Sequence, residues 1–147
     1  MQKFLGLAAI AAAGALGLAQ PAAAQTAAAP ACVAGPFMVF FTPDSDEVTP
    51  QGKAILDNAA SAYQTCGQAQ VMISGHTDTK ADAQYNVGLS QRMAGNVRSY
   101  LAGRGIPDGV MTTEAFGESR PLIETADGVS EPQNRRVEIT FGPGSGW

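Results

Sequence analysis

Two apolar stripes at helical spacing, each entered from a short strand-like run, restrict this chain to a sheet layered against helices. The first stripe is Ile55, Ala59, Ala62, Tyr63 and Cys66. Its spacing predicts a helix with one side on a core. Thr49-Pro50 reads as an N-cap followed by proline at the first helical position, and Gly67 suits the C′ position. The second stripe is Leu89, Met93, Val97 and Leu101, with Tyr100 alongside. It predicts a helix from about Asp82 or Ala83 to Arg104, stopped by Gly103 and Gly105. Phe37 to Phe41 is short and apolar on both faces, which predicts a central buried strand. Gln70 to Ser74 and Met111 to Phe116 read as further strands. Val137, Ile139 and Phe141 alternate with Arg136, Glu138 and Thr140, the pattern of a half-buried last strand. The order is β-α-β-α-β-β. The expected fold class is α/β, a two-layer sandwich in which a mixed sheet packs on two helices, with right-handed crossovers between parallel strands. Residues 117–134 form a long polar connection of 18 residues, and such loops in compact domains are often functional.

The start of the chain has a different character. Lys3, the apolar run from Phe4 to Leu18, and Ala22-Ala23-Ala24 make the pattern of a secretory leader with a small-residue cleavage site. Residues 1–24 are expected to be a signal peptide, 25–36 a linker, 37–141 the folded domain and 142–147 a flexible tail. The run is shorter than the ~20 residues of a membrane span and rich in weakly hydrophobic Ala and Gly. Cys32 has no Leu shortly before it and lies away from the apolar run, so lipidation is not expected. Export would put Cys32 and Cys66 in an oxidising compartment, where an even count favours a disulfide. A loop of that length is typically worth ~3–4 kcal/mol in the chain-entropy model.

Composition and motif content exclude several function classes. The formal net charge of −4 becomes −5 without Lys3, and no basic stripe remains, so nucleic acid is not an expected partner. His76 is the single histidine. With both cysteines assigned to a disulfide, no metal site is expected. Ser74, His76 and Asp78 are too close in sequence for a catalytic triad. No nucleophile elbow, P-loop or dinucleotide fingerprint is present. The expectation is a protein that is not an enzyme and needs no cofactor, with His76 capping its loop by hydrogen bonding.

Three clusters remain: Gly75-His76-Thr77-Asp78; Tyr85-Asn86 with Leu89-Ser90 and Ala94; and Asn134-Arg135-Arg136-Val137-Glu138. Their order and spacing resemble the OmpA-like C-terminal domain, a peptidoglycan-binding family that includes the peptidoglycan-associated lipoproteins and flagellar stator proteins. Gly117-Glu118-Ser119 with Pro121 fits the same pattern, and the resemblance runs from about Phe37 to Phe141. It implies non-covalent binding of the peptidoglycan stem peptide through diaminopimelate, in the periplasm or at the outer membrane, in support of envelope integrity. An outer-membrane protein is a candidate partner. The ligand's free end carries an ammonium and a carboxylate on one carbon, which call for an Asp and an Arg. The resemblance assigns the ammonium to Asp78 and implies a ligand set of Thr77, Asp78, Asn86, Leu89, Arg92 and Arg135.

The chain also departs from the family pattern. The family's arginine position holds Met93, which its spacing marks as a packing residue. Arg92 lies one residue earlier, rotated by about 100° about the helix axis, and would have to snorkel round. Ala81 replaces a glycine, and Thr42 replaces a carboxylate at the end of the first strand. Asp78 is therefore expected to work without its usual guanidinium companion. The alternative is an OmpA-fold structural or protein-interaction module that has lost peptidoglycan binding.

Overall fold

A computed structural model describes residues 32–67 and 69–142. The expected leader, most of the expected linker and all but the first residue of the expected tail lie outside these residues. The elements are β1 (Phe37–Phe40), α1 (Pro50–Gln64), β2 (Val71–His76), α2 (Ala83–Gly103), β3 (Met111–Gly117) and β4 (Arg136–Phe141). Two short 3-10 turns, Asp108–Val110 and Pro132–Asn134, were not anticipated. Among the described residues no helix is long and apolar enough to cross a membrane.

The four strands form one mixed sheet in the order β1-β4-β2-β3. β4 is antiparallel to both β1 and β2, while β2 and β3 are parallel. β1 and β2 therefore run the same way with β4 inserted between them. This corrects the expectation of a central first strand: β1 is at the edge. Its apolar run divides between faces, with Val39 buried and Phe40 42% exposed. The interior strands are β4 and β2, and Val137, Ile139 and Phe141 of β4 belong to the core.

Both helices contribute to that one core. α1 is capped by Thr49, whose hydroxyl accepts the Gly52 N–H, with Pro50 in its first turn. Its fully buried face includes Leu56 with Ala59, Ala60 and Tyr63; Ile55, Ala62 and Cys66 are only partly buried. α2 is capped by Asp82, which accepts the Gln84 N–H. Leu89, Met93, Ala94, Val97 and Leu101 are buried against the sheet. Met93 is a core residue, as its spacing indicated.

The approach of α2 to β2 is closest at Gly75. A Cβ at that position would lie 2.2 Å from the carbonyl oxygen of Ser90. Ser90 is fully buried; its hydroxyl donates to the Val87 carbonyl and accepts the Gly117 N–H. The Gly75 and Ser90 positions thus serve helix–sheet contact, and β2 continues through Gly75 to His76 where a loop was expected.

The Cys32–Cys66 disulfide joins residues 34 apart and ties the segment before β1 to the end of α1. The segment is also held by the Phe141 N–H donated to the Ala34 carbonyl.

Two stability predictions follow. Cys66→Ala with Cys32→Ala should lower the unfolding free energy by ~3–4 kcal/mol, and reductant should do the same to the wild type in urea titrations. Gly75→Ala should cost more than ~2 kcal/mol, because the clash is with backbone that cannot step aside. A midpoint within experimental error of wild type would show that the helix–sheet spacing is not limiting.

Candidate functional site

A cavity of about 670 Å³ opens where β2 ends and α2 begins. Four parts of the chain line it: Pro43 and Asp44 after β1, Asp78 to Asp82 without Thr79, the α2 residues Tyr85, Asn86 and Leu89, and Ser130 with Arg135 before β4. Four of the expected ligand residues, Asp78, Asn86, Leu89 and Arg135, meet there. Two do not. Thr77 is buried and donates its hydroxyl to the Asp78 carbonyl. Arg92 points to the turn after β1, where its Nε meets Asp46 Oδ2 at 3.0 Å. The rotation of one residue around α2 is what takes it away from the cavity.

Asp78 does not act alone, contrary to expectation. Its Oδ2 meets Arg135 Nη1 at 2.7 Å, with both side chains only 8% exposed. The same oxygen accepts the Glu131 N–H at 3.2 Å and lies 3.5 Å from the Ser130 hydroxyl. Among the described residues Oδ1 accepts only the Lys80 N–H, at 3.1 Å, and keeps a free lone pair. Arg135 also donates from Nε to the Phe41 carbonyl and from Nη1 to Ser130. Its Nη2 makes no hydrogen bond among the described residues. A carboxylate lone pair and a guanidinium nitrogen are thus both open beside one cavity, an arrangement whose chemistry suits a group bearing both charges.

The surrounding side chains hold this arrangement. Asn86, 1% exposed, has its amide nitrogen within 3.0–3.2 Å of the Asp78 and Ala81 carbonyls and Glu118 Oε2. It fixes the loop that carries Asp78. Tyr85 Oη donates to Asp44 Oδ1 at 2.6 Å, joining α2 to the turn after β1 across the cavity wall. That carboxylate, as hydrogen-bond partner and as charge, raises the phenol above its ordinary range. Lys80 lines the cavity as its one lysine. Sequence reasoning missed Ser130 and Tyr85 as wall residues. The only signal for Ser130 was the length of the connection that contains it.

His76 serves a different place. It ends β2 on the sheet face away from the cavity, its ring stacked on Phe116 at 5.3 Å. Nε2 lies 3.2 Å from the Ser74 hydroxyl, and buried Nδ1 has no partner among the described residues. It therefore does not cap the following loop. Among the described residues no three His, Cys, Asp or Glu side chains form a metal cluster.

Burial, then the charges of Arg136 and Arg120, hold the His76 imidazole down at about 4. The unfolded chain takes up this proton near the ordinary value of 6.5. The stability due to neutral His76 is thus complete above that pH and lost as pH falls from about 6.5 to about 4. The loss is on the order of 3 kcal/mol. His76→Gln should remove that part of the slope in urea titrations across this range. Parallel slopes for the two proteins would count against a buried neutral imidazole.

A model of the OmpA family matches residues 40–135. An outer membrane protein of Gluconacetobacter diazotrophicus is 36% identical over 109 residues, which cover 70% of this chain and 29% of that protein. A peptidoglycan-associated lipoprotein of Haemophilus influenzae is 33% identical over 103 residues, covering 70% of this chain and 67% of the lipoprotein. The crystal structure of the peptidoglycan-associated lipoprotein from Burkholderia pseudomallei superposes with a TM-score of 0.65 at 32% identity, covering 71% of this chain and 88% of that one. The chain thus spans under a third of the Gluconacetobacter protein, and two thirds of the Haemophilus lipoprotein.

Proposed function

From the premise that this chain belongs to the OmpA family, we propose that it binds peptidoglycan non-covalently through the diaminopimelate of the stem peptide. One observation carries the reading: beside a cavity of about 670 Å³, Asp78 Oδ1 keeps a free lone pair and Arg135 Nη2 makes no hydrogen bond among the described residues. The ligand's ammonium meets Asp78, and its carboxylate meets Arg135. Arg135 thereby takes the part of the arginine that Met93 replaces. Leu89 offers an apolar wall to the aliphatic part of the ligand. Thr77 and Asn86 act by shaping the loop, and Arg92 by holding the turn at Asp46.

The names of the relatives, peptidoglycan-associated lipoprotein and outer membrane protein, support an envelope location. The leader pattern supports export to the periplasm. The second reading, a structural or protein-interaction module with the same fold, is favoured by the 2.7 Å contact that pairs Asp78 with Arg135.

Sedimentation of the protein with purified peptidoglycan separates the two. Wild type should sediment. Asp78→Asn, which keeps the shape and removes the charge, should weaken binding by about tenfold or more. Circular dichroism confirms that the variant is folded. Equal sedimentation of both proteins would remove Asp78 as the anchor, and failure of both to sediment would favour the second reading.

A further inference from the structure

The 18 residues between β3 and β4 reach the cavity only because they are fastened to the other side of Asp78. The fastening converges on Thr79. Its hydroxyl donates to the Ala126 carbonyl at 2.9 Å and accepts the Val129 N–H at 3.2 Å. The Thr125 hydroxyl lies 3.3 Å away. Its own carbonyl accepts the Gly128 N–H at 3.0 Å. Gly128 has φ +80°, a turn conformation that suits glycine and lets residues 126–129 wrap around this one side chain. The next residues, Ser130 and Glu131, are those that meet Asp78 Oδ2.

We propose that Thr79 is a positioning residue for the Asp78–Arg135 receptor, acting through Ser130 and Glu131. The Glu131 N–H and the Ser130 hydroxyl fix Oδ2. Fixing Oδ2 sets the direction of the free lone pair on Oδ1, because the carboxylate is planar. Ser130 also accepts from Arg135 Nη1, so the same loop aims the guanidinium. Without the Thr79 hydroxyl, residues 126–129 lose the side-chain contacts that hold them beside the end of β2. Both charges then lose their common reference. The part of this inference that concerns ligand affinity rests on the peptidoglycan reading; the part that concerns loop position does not.

The test uses Thr79→Val, which keeps the side-chain shape and removes the hydroxyl, and Thr79→Ser, which restores it. Hydrogen exchange of the Glu131 amide is followed without ligand. It should be about tenfold faster in Thr79→Val, the equivalent of one lost hydrogen bond, and return to wild type in Thr79→Ser. Titration with a diaminopimelate-containing stem peptide should show about fivefold to tenfold weaker binding for Thr79→Val alone. Thr112→Val, on the open sheet face, should change neither. Unaltered Glu131 exchange in Thr79→Val would overturn the proposal, as would unaltered affinity. If wild type fails to bind while Thr79→Val still speeds exchange, the positioning role is supported and the peptidoglycan reading is refuted.

Discussion

The ion pair between Asp78 and Arg135 is the interaction around which one end of the molecule is organised. Each side chain is only 8% exposed. Taking two such charges out of water costs several kcal/mol per ion, which the mutual attraction offsets only when the remaining lone pairs and donors are also met. Most are met, from three directions: the loop at Ser130 and Glu131, the Lys80 N–H, and the Phe41 carbonyl after β1; one Oδ1 lone pair and Nη2 are left facing the cavity side. The pair therefore fixes three chain segments that the strand ladders alone would leave independent. The position of the long connection is a consequence of satisfying these charges.

The neighbouring arginine does the same on the opposite face of the sheet, as strand alternation requires. Arg136 Nε meets Glu138 at 2.6 Å, and its Nη2 donates to the Arg120 carbonyl at 3.1 Å. Asn134, fully buried, accepts the Leu122 and Ile123 N–H groups and donates to the Ile123 carbonyl. The Asn134-Arg135-Arg136-Val137-Glu138 run is thus one device. It stitches the start of the connection to the open sheet face and its end to the cavity side. The His76 ring, stacked on Phe116 beside these charges, is held neutral by its burial and then by the charges of Arg136 and Arg120.

Much of the fold was legible because local signals agreed. Thr49-Pro50 begins α1, and the Leu89-to-Leu101 stripe is buried as its period demanded. The edge position of β1 was not legible. Phe37 to Phe41 reads as apolar on both faces, and only pairing with β4 reveals that Phe40 is left exposed. Strand order is a long-range property that composition does not encode. The site was partly legible for a related reason. Asp78, Asn86 and Leu89 lie within one loop and helix start, so their spacing carries their geometry. The pairing of Arg135 with Asp78 was not legible, because the partners are 57 residues apart. Ser130 lies in a loop of irregular sequence and Thr79 acts through the backbone of that loop, which leaves no periodic trace.

Where the guanidinium comes from alters what a ligand must do. An arginine at position 93 would reach out from α2. Arg135 instead comes from the start of β4 and is already joined to Asp78. On the proposed reading, a simple amine would have to compete with a buried guanidinium for the same carboxylate, losing that contact for the one it gains. A group carrying ammonium and carboxylate on one carbon meets Oδ1 and Nη2 together and leaves the 2.7 Å contact intact. The partners are held in advance, so little reorganisation opposes binding. The discrimination then rests on avoiding an unpaired buried charge, the costliest outcome in such a site. A closed pair is therefore compatible with a receptor for zwitterions, even though it would be a poor receptor for cations.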